Sequence, residues 1–210
     1  LTGKSINQEL GIKWDGKQSD NFSSFTRAMT YQEPDYSTAP DVHIALNGSF
    51  IPASIVQATR EYLSKRCISL AIADSMKMSY ASMARSYDVN DPNNITKYVY
   101  FTDRLVVPIM ENHKLLSCEG RDIHGEAAFK AKMKSLGKED SCYKKCIYPL
   151  GASTSTLFDI DYLDRSKMLY FMEGIMDLAV LRSDPYFDRT NSTAVFGASI
   201  SHRQVYLLKQ

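Results

Sequence analysis

Between Pro52 and Tyr87 the chain contains no glycine and no further proline, and this uninterrupted stretch constrains the fold more than any other feature. Apolar residues recur within it at steps of three or four, the spacing of one helix face. The residues on this face and the face beside it are Leu63, Cys67, Ile68, Leu70, Ile72, Met76, Met83 and Tyr87. Pro52 suits a first helical turn, and the polar segment 88–94 ends the pattern. The stretch predicts one long helix, or two helices joined near residues 66–69.

Short apolar runs separated by turn signals predict strands in the rest of the chain. Residues 42–46 form one such run, and Asn47-Gly48 is a strong turn signal directly after it. The runs 105–110 and 115–116 flank a polar tetrad, which predicts a β-hairpin. Pro108 cannot donate to a strand ladder, so we expect it on a sheet edge. Three further strands are predicted at 156–160, 194–196 and 204–208.

Two more segments have helical spacing. Residues 127–136 favour a helix that ends at Gly137, and residues 166–181 carry apolar residues at helical steps despite Gly174. The combined pattern predicts an α+β fold, with a long helix packed on a mostly antiparallel sheet and one or two further helices. We expect a single domain over residues 1–210, in which a turn-rich aromatic arm, residues 1–50, packs on a body formed by residues 51–210.

Composition narrows the class of protein. The chain has 210 residues, 44% of them hydrophobic and 23% charged, which provides enough apolar surface for a folded core. A net charge of +1 gives no strong signal for nucleic acid or an anionic membrane. We expect no membrane-spanning segment and no signal peptide, because no apolar run is long enough.

Three of the four cysteines and one of the four histidines fall between Cys118 and Cys146. Thiolates and imidazoles are the ligands that Zn²⁺ prefers, and structural zinc sites use four of them. Cys118, His124, Cys142 and Cys146 would supply a closed structural zinc site.

A second interpretation of this region leaves Cys118 out. His124-Gly125-Glu126 followed by Cys142 and Cys146 resembles the signature of zinc-dependent nucleoside and base deaminases. The resemblance implies that His124, Cys142 and Cys146 bind zinc and that Glu126 transfers the proton. Ser141 stands where that family has proline, three residues separate the two cysteines instead of two, and no strand fits between Gly137 and Cys142.

The third interpretation is a pair of disulfides, with Cys67 bonded to Cys118 and Cys142 to Cys146. The longer-range bond would contribute about 3–4 kcal/mol in the chain-entropy model. An even cysteine count and four Asn-x-Ser/Thr sequons favour an extracytoplasmic location. Under this interpretation the cysteines clasp the hairpin to the lysine-rich helix and bind no cofactor.

Other candidates have ordinary structural explanations. Asp159 and Asp161 could hold magnesium or calcium, but a strand end with a helix capped by Asp164 explains them as well. The lysines from Lys130 to Lys145 could touch phosphates, but such a run is usually a solvated face. The sequence has no nucleophile elbow and no phosphate-binding glycine loop.

These observations favour a non-enzymatic, extracytoplasmic recognition domain of a sensor, surface or assembly protein, with no cofactor. Its partner would be another protein or a small ligand. The alternative is a zinc-dependent deaminase-like hydrolase that uses His124, Glu126, Cys142 and Cys146.

Overall fold

A computed structural model describes residues 44–138, 142–150, 155–187 and 191–210 of the chain. Residues 1–43 of the predicted aromatic arm lie outside the described residues, whereas residues 44–50 belong to the first strand of the main sheet.

A six-stranded antiparallel sheet dominates the described residues. Its strands are β1 (Ile44–Pro52), β2 (Ser79–Asp88), β3 (Val99–Tyr100), β4 (Arg104–Glu111), β5 (Lys114–Asp122) and β6 (Cys146–Ile147). The spatial order is β1-β2-β4-β5-β6, and β3 pairs with part of β2. A second, two-stranded sheet pairs β7 (Tyr170–Met172) with β8 (Ser192–Ala194) in parallel.

The described residues also form five α-helices and two short 3₁₀ turns. The helices are α1 (Gln57–Lys65), α2 (Leu70–Ser75), α3 (Glu126–Ser135), α4 (Ile175–Ser183) and α5 (His202–Lys209), and the 3₁₀ turns are Ile95–Lys97 and Ile160–Tyr162. The predicted α+β class with a mostly antiparallel sheet is confirmed.

The predicted long helix is wrong beyond Ser75. Helices α1 and α2 are separate helices, and the break between them lies at residues 66–69, as the two-helix alternative predicts. Cys67 interrupts the helical path there with a left-handed backbone, φ 58°. Ser69 then caps α2, its Oγ accepting a hydrogen bond from the Ile72 amide at 3.3 Å. Lys77, with φ 54°, turns the chain out of α2 toward β2.

The residues after α2 mimic a helix because the buried side of β2 is built from small residues. Ala81, Ala84 and Ser86 are buried, while Met83 is 72% exposed. The large residues that set the helical spacing in the sequence therefore do not mark the buried face of this strand.

The predicted hairpin is confirmed, with β4 and β5 joined by a two-residue turn at Asn112 and His113. Pro108 does not lie on an edge strand, because β4 sits between β2 and β5. However, the pairing of β4 with β2 stops at Val106. Pro108 lies just beyond it, where the missing N–H leaves no ladder bond unmade.

The predicted turn at Asn47-Gly48 is also wrong, because β1 runs through it. Gly48 has φ +134°, and a Cβ on it would lie 2.4 Å from the Met83 carbonyl oxygen. The register between β1 and β2 shifts immediately after, between Ser49 and Phe50. The glycine therefore allows a close backbone approach at a β-bulge rather than a reversal of the chain.

Helix α3 and its end at Gly137 (φ +65°) are confirmed. The other C-terminal predictions are wrong: residues 156–160 form no strand, residues 166–181 divide into β7 and α4, and residues 204–208 lie in helix α5. The predicted strand at 194–196 overlaps β8 only at Ala194.

The sheet is buried on both faces around β4. Leu105, Val107 and Ile109 pack in one core with residues of α1, α2 and α4. Val106 points to the opposite face, into a second core with Phe101 and Cys118. Among the described residues, no helix has the length and apolar character that a bilayer crossing requires.

Candidate functional site

The carboxyl ends of the parallel strands β7 and β8 lie side by side in the part of the chain that the structure describes. Glu173 directly follows β7, and Phe196 and Gly197 follow β8 with one residue between. The Val195 amide donates to the Met172 carbonyl at 3.0 Å, which extends the pairing to this end. In open parallel α/β sheets ligands bind beyond the carboxyl ends of the strands, and the two-stranded β7–β8 pair has an edge of the same polarity.

Each strand end continues into the start of a helix. Gly174 is the N-cap residue of α4, and Ser201 is the N-cap residue of α5. Ser201 Oγ accepts from the Gln204 amide at 3.2 Å, and Gln204 Oε1 accepts from the Ser201 amide at 2.8 Å. Helix N-termini carry partial positive charge, so both elements favour an anionic group at this edge.

Glu173 is an exposed carboxylate that has no hydrogen bond or ion pair with any other described residue. Asp177, in the first turn of α4, differs: its Oδ2 lies 3.3 Å from the point a Cβ on Gly174 would occupy. Asp177 is therefore placed to compensate the N-terminus of α4. Glu173 remains available to bind a cation.

A buried polar network on β5 lies beside the same core. Glu119 is 4% exposed and accepts from Arg121 Nη1 at 3.0 Å and from the Tyr148 hydroxyl at 2.8 Å. Arg121 Nε donates to the Tyr62 hydroxyl at 3.0 Å. Tyr62 and Tyr148 pack on the core cluster that Met172 and Phe196 also contact. The network therefore holds one arginine in a fixed direction beside the main core cluster.

Burial dominates the electrostatics of this network. It raises the pKa of Tyr148 far above its ordinary value, and the neighbouring Glu119 charge raises that pKa further. Burial also raises the pKa of the Cys146 thiol, with Glu119 again adding to the effect. Burial acts in the opposite direction on Arg121, but Tyr62, Cys146 and Glu119 together leave its pKa raised.

The predicted cysteine and histidine cluster does not assemble. Cys146 pairs with Arg121 across β5 and β6. Cys118 lies three positions before Arg121 on β5, so its side chain points to the opposite face of the sheet. Cys142 and His124 are exposed on the segments around α3. Among the described residues, no three of His, Cys, Asp and Glu come close enough together to hold a metal ion.

The predicted disulfides are wrong, because all four cysteines are free thiols. Cys67 is exposed at the junction of α1 and α2, while Cys118 is fully buried in the second core. Burial raises the pKa of Cys118 to about 12, so this thiol behaves as a small apolar core residue.

The deaminase assignment is likewise wrong. Glu126, its predicted proton carrier, lies at the start of α3 and forms an exposed ion pair with Lys130, one helical turn further along. Its position is that of an ordinary residue in a first helical turn.

The fold resembles that of a bacterial primase. One similar structure is the crystal structure of the Aquifex aeolicus primase, which comprises its zinc-binding and RNA polymerase domains. It matches 74% of this chain with a TM-score of 0.50 and 20% sequence identity. The E. coli primase catalytic core has a TM-score of 0.48 and 16% identity over 75% of this chain. The chain spans 40% of the first protein and 53% of the second. The fold assignment rests on the first.

No protein-family model matches the sequence, and no curated protein matches it either. The shared fold nevertheless overturns the predicted function as a recognition domain, and the four free thiols overturn the predicted disulfide bonds. The cellular location alone stays a prediction.

Glu173 was missed because residues 166–181 have helical spacing. Gly174 was the available signal: glycine is tolerated poorly inside a helix and well at its start. A Glu-Gly pair after the apolar run 168–172 indicates a strand end followed by a helix start.

Proposed function

We propose that this chain is part of a primase-like enzyme that joins ribonucleotides on a nucleic-acid template, with Glu173 at its metal-binding edge. The observation that carries the proposal is the exposed Glu173 carboxylate at the carboxyl end of β7, which has no partner among the described residues, in a fold similar to that of a primase. The proposal concerns a part only, because the chain spans 40% of that protein.

The chemistry of phosphoryl transfer supports this assignment. Such enzymes hold their phosphates with divalent cations, and Mg²⁺ is commonly bound through one or two carboxylates while substrate phosphates and water complete its coordination. The described residues offer no cage of three ligands, and a single available carboxylate fits that mode of binding. Bound Mg²⁺ would neutralise phosphate charge. Glu173 would hold the cation, and the N-terminus of α4 would favour the phosphates.

Lysine-rich segments provide a second supporting feature. Lys144 and Lys145 are exposed on the irregular segment before β6, and Arg104 binds their backbone. Its Nη2 donates to the Lys144 carbonyl at 2.9 Å and its Nη1 to the Lys145 carbonyl at 3.3 Å. Two adjacent exposed cations on a segment whose backbone is bound by Arg104 suit contacts to nucleic-acid phosphates.

The proposal is tested with two binding measurements on the whole chain. Mn²⁺, used as a spectroscopic substitute for Mg²⁺, is titrated while the electron paramagnetic resonance signal of the free ion is recorded. We expect Glu173→Gln to weaken Mn²⁺ binding about tenfold or more, because it removes the charged ligand. Glu126→Gln is the matched control, since Glu126 is also an exposed glutamate next to the N-cap glycine of a helix. Equal Mn²⁺ binding by the two variants would contradict the assignment of Glu173.

Nucleic-acid binding is measured separately by fluorescence anisotropy with a labelled single-stranded oligonucleotide. We expect saturable binding that weakens as salt rises, because Lys144 and Lys145 would release counterions from the phosphates. Lys144→Gln with Lys145→Gln is expected to reduce both the affinity and the salt dependence. Absence of binding at low salt would exclude the nucleic-acid part of the proposal.

A further inference from the structure

A cavity lies between α2, the turn of the β4–β5 hairpin and the segment 158–162, at the opposite end of α4 from Glu173. Its volume is about 450 Å³, which is within the range of small-molecule sites. It exists because β2 stops pairing with β4 at Val106, so the side of β4 around Pro108 and Met110 has no neighbouring strand.

The floor of the cavity is apolar. Ile72, Met76 and Phe158 are buried there at 7%, 2% and 2% exposure, and Pro108 and Met110 form a wall. Methionine thioethers and an aromatic ring make favourable contacts with flat aromatic groups. Pro108 and Met110 are half-buried, so this wall offers the accessible apolar surface, and a planar ligand suits it.

The polar groups stand at one side of the opening. Arg182 Nη1 donates to Asp159 Oδ2 and holds that carboxylate, whose Oδ1 accepts from no other described residue. Lys77 is exposed at the rim, close enough for its charge to lower the pKa of Asp159 against the larger effect of burial. The free oxygen provides an acceptor beside a flexible cation.

Asp161 has a different role, because each oxygen of its carboxylate already accepts a hydrogen bond from a backbone amide. Its two oxygens accept from the Asn112 and His113 amides, both at 2.8 Å. This contact fixes the hairpin turn as a wall of the cavity. The ring of Tyr162, 68% exposed, stands beside His113 with their centroids 6.4 Å apart and offers a surface for stacking.

Three residues that line the cavity have backbones in the left-handed region: Lys77 (φ 54°), His113 (φ 59°) and Asp159 (φ 55°). Non-glycine residues adopt this conformation uncommonly, and they are enriched where side chains are positioned for a ligand.

We propose that this cavity binds a purine nucleotide at a site separate from the Glu173 edge. The base packs against the half-buried Pro108 and Met110 and stacks against Tyr162. An exocyclic or ring N–H of the base donates to Asp159 Oδ1, and the phosphates reach Lys77. Nucleotides combine the three features for which the cavity has partners: a flat aromatic group, an N–H donor and an anion. Among nucleotides, a purine offers the larger flat face to Tyr162 and to the apolar wall.

The two sites lie at opposite ends of α4. Glu173 precedes its first turn, and Arg182 is in its last turn. A helix of nine residues spans about 13 Å, so Glu173 and Arg182 are separated by roughly that distance. Arg182 also donates to the Ser192 carbonyl on β8 at 2.6 Å. A ligand on Asp159 would therefore contact β8 through a single side chain, which makes the cavity suited to regulation.

Calorimetric titration of the whole chain with ATP and with GTP tests the proposal. All variants carry Glu173→Gln and the buffer contains EDTA, so the proposed metal edge does not contribute and the two proposals fail independently. We expect saturable binding of at least one purine nucleotide. Inorganic tripolyphosphate and UTP should bind at least about tenfold more weakly, because they lack the purine base.

Two substitutions on the rim are expected to leave the fold intact. Lys77→Gly removes the ammonium group at a position whose φ of 54° favours glycine, and Tyr162→Ala removes an exposed ring. Each should weaken binding about tenfold, the factor for one good contact. Lys134→Ala, on exposed α3, is the control and should change nothing. Absence of saturable binding, equal binding of tripolyphosphate, or full binding by both rim variants would overturn the proposal.

Discussion

Glu111 at the end of β4 and Arg203 in the first turn of α5 form an ion pair that is almost completely buried, with side-chain exposures of 3% and 8%. The contact is bidentate: Arg203 Nη1 donates to Glu111 Oε2 at 2.9 Å, and Nη2 donates to Oε1. Thr156 Oγ1 donates to the same carboxylate. Because the partners are 92 positions apart in the sequence, this pair attaches the C-terminal helix to the hairpin.

Breaking this pair from one side should strongly destabilise the fold. Arg203→Met would leave the Glu111 charge buried without a partner, and we expect the free energy of unfolding to fall by about 3–5 kcal/mol. Urea denaturation followed by circular dichroism measures this change. Lys97→Met is the control, because it breaks an exposed ion pair with Asp88 and should change stability little. If both substitutions lowered the free energy of unfolding by a similar amount, the buried pair would contribute no more to stability than an exposed pair does.

Gly120 on β5 should not tolerate a methyl group. A Cβ there would lie 2.3 Å from Cδ1 of Phe101, which is fully buried. We expect Gly120→Ala to lower the free energy of unfolding by about 1–3 kcal/mol through overpacking. Gly197→Ala is the matched control, since a Cβ there would have no atom within 4 Å. If the two variants unfold at the same urea concentration, the close packing of Gly120 against Phe101 is contradicted.

Local patterns predicted the local elements of this fold. The β4–β5 hairpin and helix α3 follow from contiguous signals, namely apolar runs around a polar turn and a helix that ends at Gly137. The parallel β7–β8 pair could not be predicted in this way. Each strand has three residues, and their pairing joins Tyr170 to Ser192 through tertiary packing. Glu173 gains its position only from that pairing.

One error had a usable signal. Val205, Leu207 and Leu208 suggest a strand, but Ser201 and Gln204 form a capping box at a helix start. The cysteine cluster fails for a different reason. Neighbouring strands do bring Cys118 and Cys146 to one part of the sheet, but on opposite faces, and strand register is set by long-range packing.

Tyr148 should make the fold sensitive to alkaline pH. Its pKa is raised in the folded protein, so above the ordinary tyrosine value near 10 the unfolded chain binds fewer protons than the folded one. Stability from this group is therefore full below pH 10 and is lost as pH rises above that value. We expect Tyr148→Phe to flatten the fall in stability above pH 10, as measured by urea denaturation from pH 8 to 11.

The same variant should be less stable at neutral pH. Glu119 would lose the hydroxyl donor at 2.8 Å while staying buried, which costs about 1–3 kcal/mol. Tyr100→Phe, at an exposed tyrosine, is the control for both measurements. If the wild-type and Tyr148→Phe stability curves run parallel above pH 10, Tyr148 is ionising as an ordinary tyrosine.

The four thiols should react with iodoacetamide in an order set by exposure and pKa. At pH 8 in the folded protein, we expect rapid alkylation of the exposed Cys67 and Cys142 and slower alkylation of the half-buried Cys146. Burial raises the pKa of the Cys146 thiol, which lowers its thiolate fraction. Cys118 should react only after unfolding, because it is fully buried and its pKa is about 12. Peptide mass spectrometry of samples alkylated with and without urea measures the order. Early labelling of Cys118 would show that the second core opens readily in the folded protein.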